Sequence, residues 1–432
     1  MPRVMLLIPS ASYRAPDFMD AAARLGVEVV VGTDKRSPLE GAAHGGLATF
    51  DFDDPEHGAN EIEAYATLHP VDTIVAVDDG GTLLAARAAR RLELPHNPVS
   101  AVEATRDKSL LRARLQAAGL ASPAWHVAQA AEDPQVAAIN ARELVGYPVV
   151  VKPLALSASR GVIRADDERE FVEAFNRVTA ILKTEEALAE CGARHADRVL
   201  VEGYIPGIEV SLEGLLDQGV LRTLAIFDKP DPLVGPYFEE TIYVTPSRLP
   251  EDAQQLIERT AERACLALGL RDGPVHVELR LDGREAYPVD IAARSIGGLC
   301  ARTLQFGTGM SLEELLLRHA TGAAVPTYER DWRAAGVMMI PIPRAGTLRA
   351  VEGVETAEAV PFIESVTISI PVGGKVTPLP EGTEYLGFIF ARGDTPAEVE
   401  QALRDAHSAL RFEIEGLFSP PDFGSASVRG SA

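Results

Sequence analysis

The sequence contains little cysteine and no long apolar run. Its three cysteines, Cys191, Cys265 and Cys300, lie far apart and form no C-x-x-C pair, which excludes a disulfide framework and a zinc motif. No run approaches the roughly eighteen apolar residues of a membrane-spanning helix, and the apolar start of the chain is broken at Pro9 before it reaches the length of a signal segment. We therefore expect a cytoplasmic protein with no membrane partner.

Basic residues are outnumbered, and lysine is especially scarce. The chain has 41 Lys and Arg against 63 Asp and Glu, a net charge of −22. Such a surface repels nucleic-acid phosphates and anionic lipid, so we expect no nucleic-acid partner. Arginine supplies 35 of the 41 basic residues, and the six lysines are Lys35, Lys108, Lys152, Lys183, Lys229 and Lys375. Genome composition is the simplest explanation, but each retained lysine becomes a position to examine for chemistry.

At 432 residues the chain is too long for one compact core and predicts two to four folded units. Apolar runs at Val4–Ile8, Val27–Val31 and Thr73–Val77 alternate with helical stretches. Strands that alternate with helices are typical of a parallel sheet. The sequence therefore predicts a parallel α/β domain over residues 1–99.

The remainder of the chain has a different, α+β character. Residues 100–325 begin with a predicted helix over Ser100–Ala118. Two antiparallel hairpins are predicted further on, Glu209–Leu216 with Leu221–Phe227 and His276–Leu281 with Ala286–Ile291. We predict a third, α+β unit over residues 326–417 and a flexible tail over 418–432, because the last stretch is rich in Gly, Ser and Pro.

A lysine and a loop of small residues follow one predicted strand. Lys152 lies at the end of this strand, and Ser157, Ser159, Gly161 and Val162 belong to the loop. Small residues let backbone N–H groups approach phosphate oxygens, and a lysine adds a positive charge, so the segment suits a phosphate cradle. It is not a P-loop, because G-x-x-x-x-G-K-[ST] is absent, as is a G-x-G-x-x-G after the first strand. A solvated hairpin loop with a surface lysine remains the alternative.

A later strand ends in a glutamate and a bend that contains Gly and Pro. Glu202, Gly203, Tyr204 and Ile205 form this bend, and Glu209 lies seven positions after Glu202. Such a bend suits a hinge whose backbone hydrogen-bonds a planar base, and a carboxylate can accept two ribose hydroxyls at once. A turn with solvated glutamates fits the same residues.

Two acids face each other across the second predicted hairpin. Glu278 and Asp290 lie on its two strands, and Arg294 follows them. Opposed carboxylates repel unless a cation lies between them, and magnesium prefers carboxylates together with phosphate oxygens, to which Arg294 could also donate. His276 shares the strand face of Glu278, although a lone histidine is more often structural. Two exposed acids on a solvated sheet face remain the alternative.

The order of these segments resembles the ATP-grasp superfamily over roughly residues 100–322. The resemblance implies an ATP-grasp fold of two α+β subdomains, preceded by a parallel α/β pre-ATP-grasp domain. It also implies ATP and magnesium or manganese as cofactors. The residues that match the nucleotide-binding motifs are Lys108, Lys152, Ser157, Ser159, Gly161, Val162, Glu202, Gly203, Tyr204, Ile205 and Glu209. By the same resemblance Glu278 and Asp290 bind metal and Arg294 contacts phosphate.

Two departures from the family pattern concern the metal site. The second metal-binding acid is usually a glutamate and here is Asp290, and an asparagine two residues later is replaced by Ala292. The string from Asp290 to Arg294 is similar to the Glu-x-Ala-Ala-Arg form of the L-amino-acid ligase, or dipeptide synthetase, branch. Segments of the C-terminal unit resemble the same branch. The segments around Lys229 and around Glu239 and Glu240 also resemble it, and by this resemblance Lys229 would contact the γ-phosphate and one of the two acids would contact an amino group.

The resemblance implies an enzyme that activates a carboxylate. ATP would convert the carboxylate to an acyl phosphate, an amine would attack its carbonyl, and ADP and phosphate would leave. The expected substrates are amino acids, and the expected catalytic residues are Arg294, Lys229 and His276. Two alternatives stay open, a carboxylase or purine-pathway ligase and a non-catalytic ATP-binding regulator. A homodimer is the commonest default assembly.

Overall fold

The computed structural model describes residues 2–10, 12–37 and 46–416, so the predicted flexible tail lies outside the described residues. No helix in these ranges combines the length and the apolar character needed to cross a membrane.

The N-terminal part is built on a parallel four-stranded sheet with the strand order β3-β2-β1-β4. Its elements are β1 (Arg3–Leu7), α1 (Ala15–Leu25), β2 (Glu28–Thr33), β3 (Leu47–Thr49), α2 (Pro55–Leu68), β4 (Thr73–Ala76) and α3 (Asp79–Arg91). Val4 and Leu6 pack toward α1, whereas Met5 and Leu7 pack toward α2 and α3. Both faces of the sheet are therefore covered by helices, and the predicted parallel α/β fold is confirmed.

The next part contains an antiparallel four-stranded sheet with the order β5-β8-β6-β7. Its elements are α4 (Val99–Arg106), α5 (Lys108–Ala117), β5 (Trp125–Gln129), α6 (Pro134–Leu144), β6 (Val149–Pro153), β7 (Ile163–Ala165), α7 (Glu168–Ile181), α8 (Glu185–Cys191), α9 (Ala193–Ala196) and β8 (Arg198–Gly203). We call the part from β5 to β8 the small unit. Helices α6 and α7 cover one face of its sheet.

One predicted helix is wrong. The stretch over Ser100–Ala118 is two helices, α4 and α5, which Asp107 separates. Asp107 is extended, and its carboxylate accepts the N–H groups of Ser109 and Leu110 at 2.9 and 3.3 Å. The side chain therefore caps a new helix, which starts at Lys108.

The rest of the chain forms an antiparallel eight-stranded sheet with the order β13-β12-β9-β10-β11-β16-β20-β18. The elements up to the last third are β9 (Ile208–Asp217), β10 (Val220–Asp228), β11 (Ile242–Thr245), α10 (Glu251–Leu268), β12 (Gly273–Leu281), β13 (Ala286–Ala292), β14 (Gln305–Phe306), β15 (Met310–Ser311) and α11 (Leu312–Ala320). Both predicted hairpins are present, as β9 with β10 and β12 with β13. Strand β12 also pairs with β9, which joins the two hairpins into one surface.

The C-terminal stretch contributes three strands to this sheet and forms a separate three-stranded sheet with three others. Its elements are β16 (Ala334–Ile340), β17 (Gly346–Glu352), α12 (Val354–Glu358), β18 (Ile363–Ile368), β19 (Lys375–Val376), β20 (Gly387–Gly393), α13 (Pro396–Ala409) and β21 (Arg411–Glu415). Strand β16 pairs with β11, and α13 packs on β16 and β20. The segment predicted as a third unit therefore shares a sheet with the hairpins, and its boundary at residue 326 stays a prediction.

Candidate active site

The chemistry-bearing residues of the large sheet share one face. Along β9, Val210 and Leu212 belong to the apolar core that contains residues of α10. Because side chains alternate along a strand, Glu209, Ser211 and Glu213 point to the opposite face. The strand registers extend this polar face across the hairpins, with Glu209 opposite Arg280, Ser211 opposite Glu278, Glu213 opposite His276, and Glu278 opposite Asp290.

Lys229 lies at the centre of this face. Its Nζ atom is 2.7 Å from Oε1 of Glu209 and 3.5 Å from Oε1 of Glu278, and it also donates to Glu240. Burial alone would lower the pKa of Lys229, but the three carboxylates outweigh this effect and hold the pKa well above its ordinary value. Burial likewise opposes ionisation of Glu278, yet Lys229 and His276 lower its pKa. For Glu240 burial dominates and raises the pKa.

The three acids around Lys229 fit a divalent cation. One carboxylate oxygen of each of Glu209, Glu240 and Glu278 lies within 4.8 Å of the others. Hard oxygen donors of this kind suit magnesium or manganese together with phosphate oxygens. The cation that balances them in this structure is the ammonium of Lys229, so a bound metal would have to take over that charge.

The predicted metal ligand Asp290 lies beside this cluster rather than in it. It stands directly across the hairpin from Glu278, but its Oδ2 atom is 3.0 Å from Nζ of Lys108. Lys108 also donates to the carbonyl oxygen of Leu156 at 3.3 Å. This lysine therefore links the acidic face to the start of the predicted phosphate loop.

A second buried cluster forms where the small unit meets the large sheet. Glu202, which is 4 % exposed, accepts Nε and Nη2 of Arg112 at 2.7 and 3.2 Å and also pairs with Lys152. Burial would raise the pKa of Glu202, but Arg112 and Lys152 lower it to about 2. Arg112 also donates to the carbonyl oxygens of Pro288 and Val289 at 2.7 and 3.0 Å, which ties the small unit to β13.

The predicted hinge follows Glu202 directly. The N–H groups of Gly203 and Tyr204 donate to carbonyl oxygens of Ala124 and Pro148 at 2.9 and 3.0 Å, so they are not available to a base. No hydrogen bond within the described residues uses the N–H of Ile205. Among the predicted hinge residues, Ile205 therefore retains a backbone donor that a planar base could use.

The predicted phosphate loop is closed onto its neighbours. The N–H and Oγ groups of Ser157 donate to Oε1 of Glu190 at 2.9 and 2.6 Å, and Val162 N–H donates to Ser159. The N–H of Gly161 donates to the carbonyl of Pro380, from the segment before β20, at 2.9 Å. A Cβ at Gly161, where φ is +71°, would lie 2.9 Å from the ring of Pro153, which explains the need for glycine here.

His276 lies between Glu213 and the predicted metal ligand Glu278. Its Nδ1 atom is 3.2 Å from Oε2 of Glu213, and its Nε2 atom is 3.7 Å from Oε1 of Glu278. Burial opposes the charged ring, but these two carboxylates raise the pKa of His276. Oε1 of Glu213 and Oγ of Ser211 have no hydrogen-bond partner in the described part of the chain. The histidine therefore connects a fully buried acid to the acidic face.

Arg294 does not point freely into the cleft. Its Nη2 atom donates to Oδ2 of Asp79, from the first turn of α3, at 2.7 Å, and its Nη1 atom donates to the carbonyl of Ser295 at 2.8 Å. Cys300 is buried against Met339, and burial raises the pKa of its thiol to about 12. A buried thiol with a raised pKa is typical of a structural cysteine rather than of a nucleophile.

Several residues of the site were missed by the sequence analysis. Arg112 lies four positions after Lys108, on the same face of α5, and this spacing was a usable signal. Arg280 lies two positions after Glu278 and reaches Glu209 at 3.4 Å and the hydroxyl of Tyr204 at 3.3 Å. Glu213 had no signal of its own, because its role depends on the pairing of β9 with β12.

Fold and site together define an ATP-grasp protein. Family models match successive parts of the chain, an ATP-grasp N-terminal domain over residues 19–96, an ATP-grasp domain over 145–303 and an L-amino acid ligase C-terminal domain 2 over 338–415. The chain therefore contains an ATP-grasp domain, and its last part matches a domain of the L-amino acid ligases.

Individual relatives agree with this assignment. The chain is 32 % identical over 281 residues to alanine–anticapsin ligase of Bacillus subtilis, an alignment that covers 62 % of this chain and 58 % of that relative. The chain thus spans less than two thirds of that protein. The crystal structure of L-amino acid ligase from Bacillus licheniformis matches with a TM-score of 0.81 and 26 % identity, over 96 % of this chain and 99 % of the other. Formate-dependent phosphoribosylglycinamide formyltransferase of Rhodococcus jostii is 27 % identical over 386 residues, 83 % of this chain and 84 % of the relative.

Proposed function

We propose that the protein is an ATP-dependent carboxylate–amine ligase that joins an amino acid to an amine, with release of ADP and phosphate. One observation carries the proposal. Lys108 and Lys152 belong to α5 and β6, and Lys229 directly follows β10. Each pairs with a carboxylate, and Lys108 lies near enough to act electrostatically on both Lys152 and Glu278. Such an arrangement supplies positive charge for a triphosphate and negative charge for its metal ion in one place.

The nucleotide is held between the small unit and the large sheet. The N–H of Ile205 binds the base, Glu209 accepts the ribose hydroxyls, and Lys108 and Lys152 bind phosphate oxygens. Magnesium would be held by Glu240 and Glu278, and Asp290 would join them when Lys108 turns from Asp290 to the phosphates. When bound, the metal would offset phosphate charge and polarise the transferred group. The closed loop from Ser157 to Val162 excludes water, which would otherwise hydrolyse an acyl phosphate.

Two bond exchanges follow. A carboxylate oxygen of the first substrate attacks the γ-phosphorus, the bond to the β-phosphate oxygen breaks, and an acyl phosphate and ADP result. The amine nitrogen then attacks the acyl carbon, loses a proton, and expels phosphate. Lys229 and Arg294 stabilise the charge on the transferred phosphoryl group and on the oxyanion. His276 orients Glu278 through its 3.7 Å contact.

The C-terminal match favours an amino acid as the acid substrate. The family model that matches residues 338–415 is the L-amino acid ligase C-terminal domain 2, which supports an amino acid as the acid substrate. The relative from Rhodococcus jostii keeps that alternative in view, with formate or bicarbonate as the acid. A dependence of ADP release on formate or bicarbonate would favour the alternative instead.

The test is ADP release in the presence of magnesium across a panel of amino acids, alone and in pairs. We expect release that requires an amino acid and yields a dipeptide detectable by mass spectrometry. Lys152→Ala and Glu278→Ala should abolish release while circular dichroism shows a folded chain, and Lys183→Ala, at an exposed lysine, should leave it unchanged. Absence of release across the whole panel would contradict the proposed function, and normal activity in Lys152→Ala or Glu278→Ala would overturn the site.

A further inference from the structure

The N-terminal domain contributes one carboxylate to the cleft. Asp79 is the first residue of α3, three positions after the carboxyl end of β4 at Ala76. Its Oδ2 atom accepts Nη2 of Arg294 at 2.7 Å, and its Oδ1 atom is 3.5 Å from Nη1 of Arg106. Its side chain is 18 % exposed. The residue pairs with an arginine 215 positions later in the chain, so the contact joins the N-terminal domain to the segment that follows β13.

Three cations surround this carboxylate. Burial would raise the pKa of Asp79, but Arg294, Arg106 and Lys108 outweigh it and lower the pKa to about 2. Lys108 is the same residue that pairs with Asp290. The carboxylate of Asp79 therefore lies among the positive groups assigned above to phosphate, although it is neither a predicted nucleotide ligand nor a predicted metal ligand.

Asp79 also fixes the orientation of Arg294. The guanidinium has one further acceptor among the described residues, the backbone carbonyl of the next residue, Ser295, at 2.8 Å. The guanidinium of Arg294 packs over Gly297, and a Cβ added to this glycine would lie 3.9 Å from Nη2. A long side chain with one local backbone bond retains several rotamers, so the bond to Asp79 selects the one observed.

We propose that Asp79 is a positioning residue that holds the guanidinium of Arg294 toward the transferred phosphoryl group, so that the N-terminal domain completes the catalytic site. This proposal rests on the proposed function. It predicts that loss of the Asp79 charge impairs the chemical step more than it impairs nucleotide binding, because Arg294 remains present but misoriented.

The experiment compares Asp79→Asn, Asp79→Glu, Arg294→Lys and the control Asp78→Asn. Asp78 is the neighbouring residue and carries the same charge, which also acts on Arg294, but its side chain makes no cap hydrogen bond to α3 and no hydrogen bond to Arg294 among the described residues. With the amino-acid pair that wild type uses, we expect Asp79→Asn to lower kcat at least tenfold with less than a threefold change in KM for ATP. Asp79→Glu, which keeps a carboxylate, should recover part of this loss, and Asp78→Asn should stay within threefold of wild type.

A double variant with Asp79→Asn and Arg294→Lys should be no slower than Arg294→Lys alone, because both changes act on the same group. Unchanged kcat in Asp79→Asn, or a rise in KM with a lowered Tm and normal kcat, would overturn the proposal and leave the proposed function intact. Equal losses in Asp78→Asn and Asp79→Asn would also overturn it, since a general charge effect would then suffice.

A binding arm separates this proposal from the proposed function. If wild type releases no ADP with any amino acid, the ligase function fails, and calorimetry with magnesium then compares ADP with a non-hydrolysable ATP analogue. Asp79→Asn and Arg294→Lys should reduce the preference for the triphosphate to a similar extent. If the ratio of affinities for the ATP analogue and for ADP falls in Arg294→Lys but is unchanged or larger in Asp79→Asn, the positioning role of Asp79 is wrong.

Discussion

Replacing Glu202 by glutamine should strongly destabilise the small unit. The carboxylate lies between Arg112 and Lys152, and all three side chains are buried. Glutamine keeps the size of the side chain but removes its charge, so two cations remain in a poorly solvated site. Breaking one partner out of a buried ion cluster typically costs about 3–5 kcal/mol.

The pKa of Glu202 gives an independent magnitude. Folding lowers it from 4.5 to about 2, which corresponds to roughly 3 kcal/mol. Because the pKa is depressed in the folded state, this stabilisation is fully present above about pH 4.5 and is lost as pH falls toward 2. The two approaches agree on a loss of about 3–4 kcal/mol for Glu202→Gln at pH 7.

A local probe makes the measurement specific. Trp125 on β5 lies directly opposite Glu202 on β8, and a Trp332→Phe background would make it the single tryptophan of the chain. Urea unfolding followed by Trp125 fluorescence should show the full loss at pH 7 and a smaller one at pH 3. The control Glu173→Gln removes an exposed ion pair with Arg169 and should cost less than about 0.5 kcal/mol. A Glu202→Gln loss no larger than that of the control would refute the reasoning.

Two further predictions concern the acidic face and the phosphate loop. Lys229→Met should lower the free energy of unfolding by about 3–5 kcal/mol without metal. Manganese alone should raise the Tm of the variant more than that of wild type, because the ammonium no longer competes for the three acids. An equal manganese effect in both proteins would contradict the overlap of the two cation positions. Gly161→Ala should reduce turnover at least tenfold, because its Cβ would contact Pro153. The control Gly146→Ala also has a positive φ, +88°, but its Cβ would have no atom within 4 Å. It should lower the free energy of unfolding by about 1 kcal/mol and leave turnover within twofold. Similar activity in these two glycine variants would show that the contact with Pro153 does not matter.

Local features of the fold were predictable from the sequence. The hairpin of β12 and β13 follows from alternating apolar residues around Asp282-Gly283, and it places Glu278 opposite Asp290 as expected. The break at Asp107 also had a local signal, since aspartate is among the residues preferred at a helix N-cap, and the sequence analysis overlooked it.

Pairings between distant segments were not predictable. The hairpins are joined by β9 and β12, and this register alone brings Glu213 to His276. Lys152 and Glu202 were assigned to different motifs, phosphate loop and hinge, yet they share one buried ion cluster because β6 and β8 are neighbours. Alternation along a strand indicates which face a residue takes, but not which residue of another strand it will meet.

The scarcity of lysine acquires a physical explanation at the site. Lys35, Lys183 and Lys375 are exposed, whereas Lys152 and Lys229 are buried and Lys108 is 12 % exposed. Each of these last three lysines is paired with at least one carboxylate. A nucleotide with its metal ion brings anionic phosphates for the lysines and a cation for the acids. Binding can therefore exchange one set of partners for another with little change in buried charge, which avoids the cost of holding bare lysines ready for phosphate.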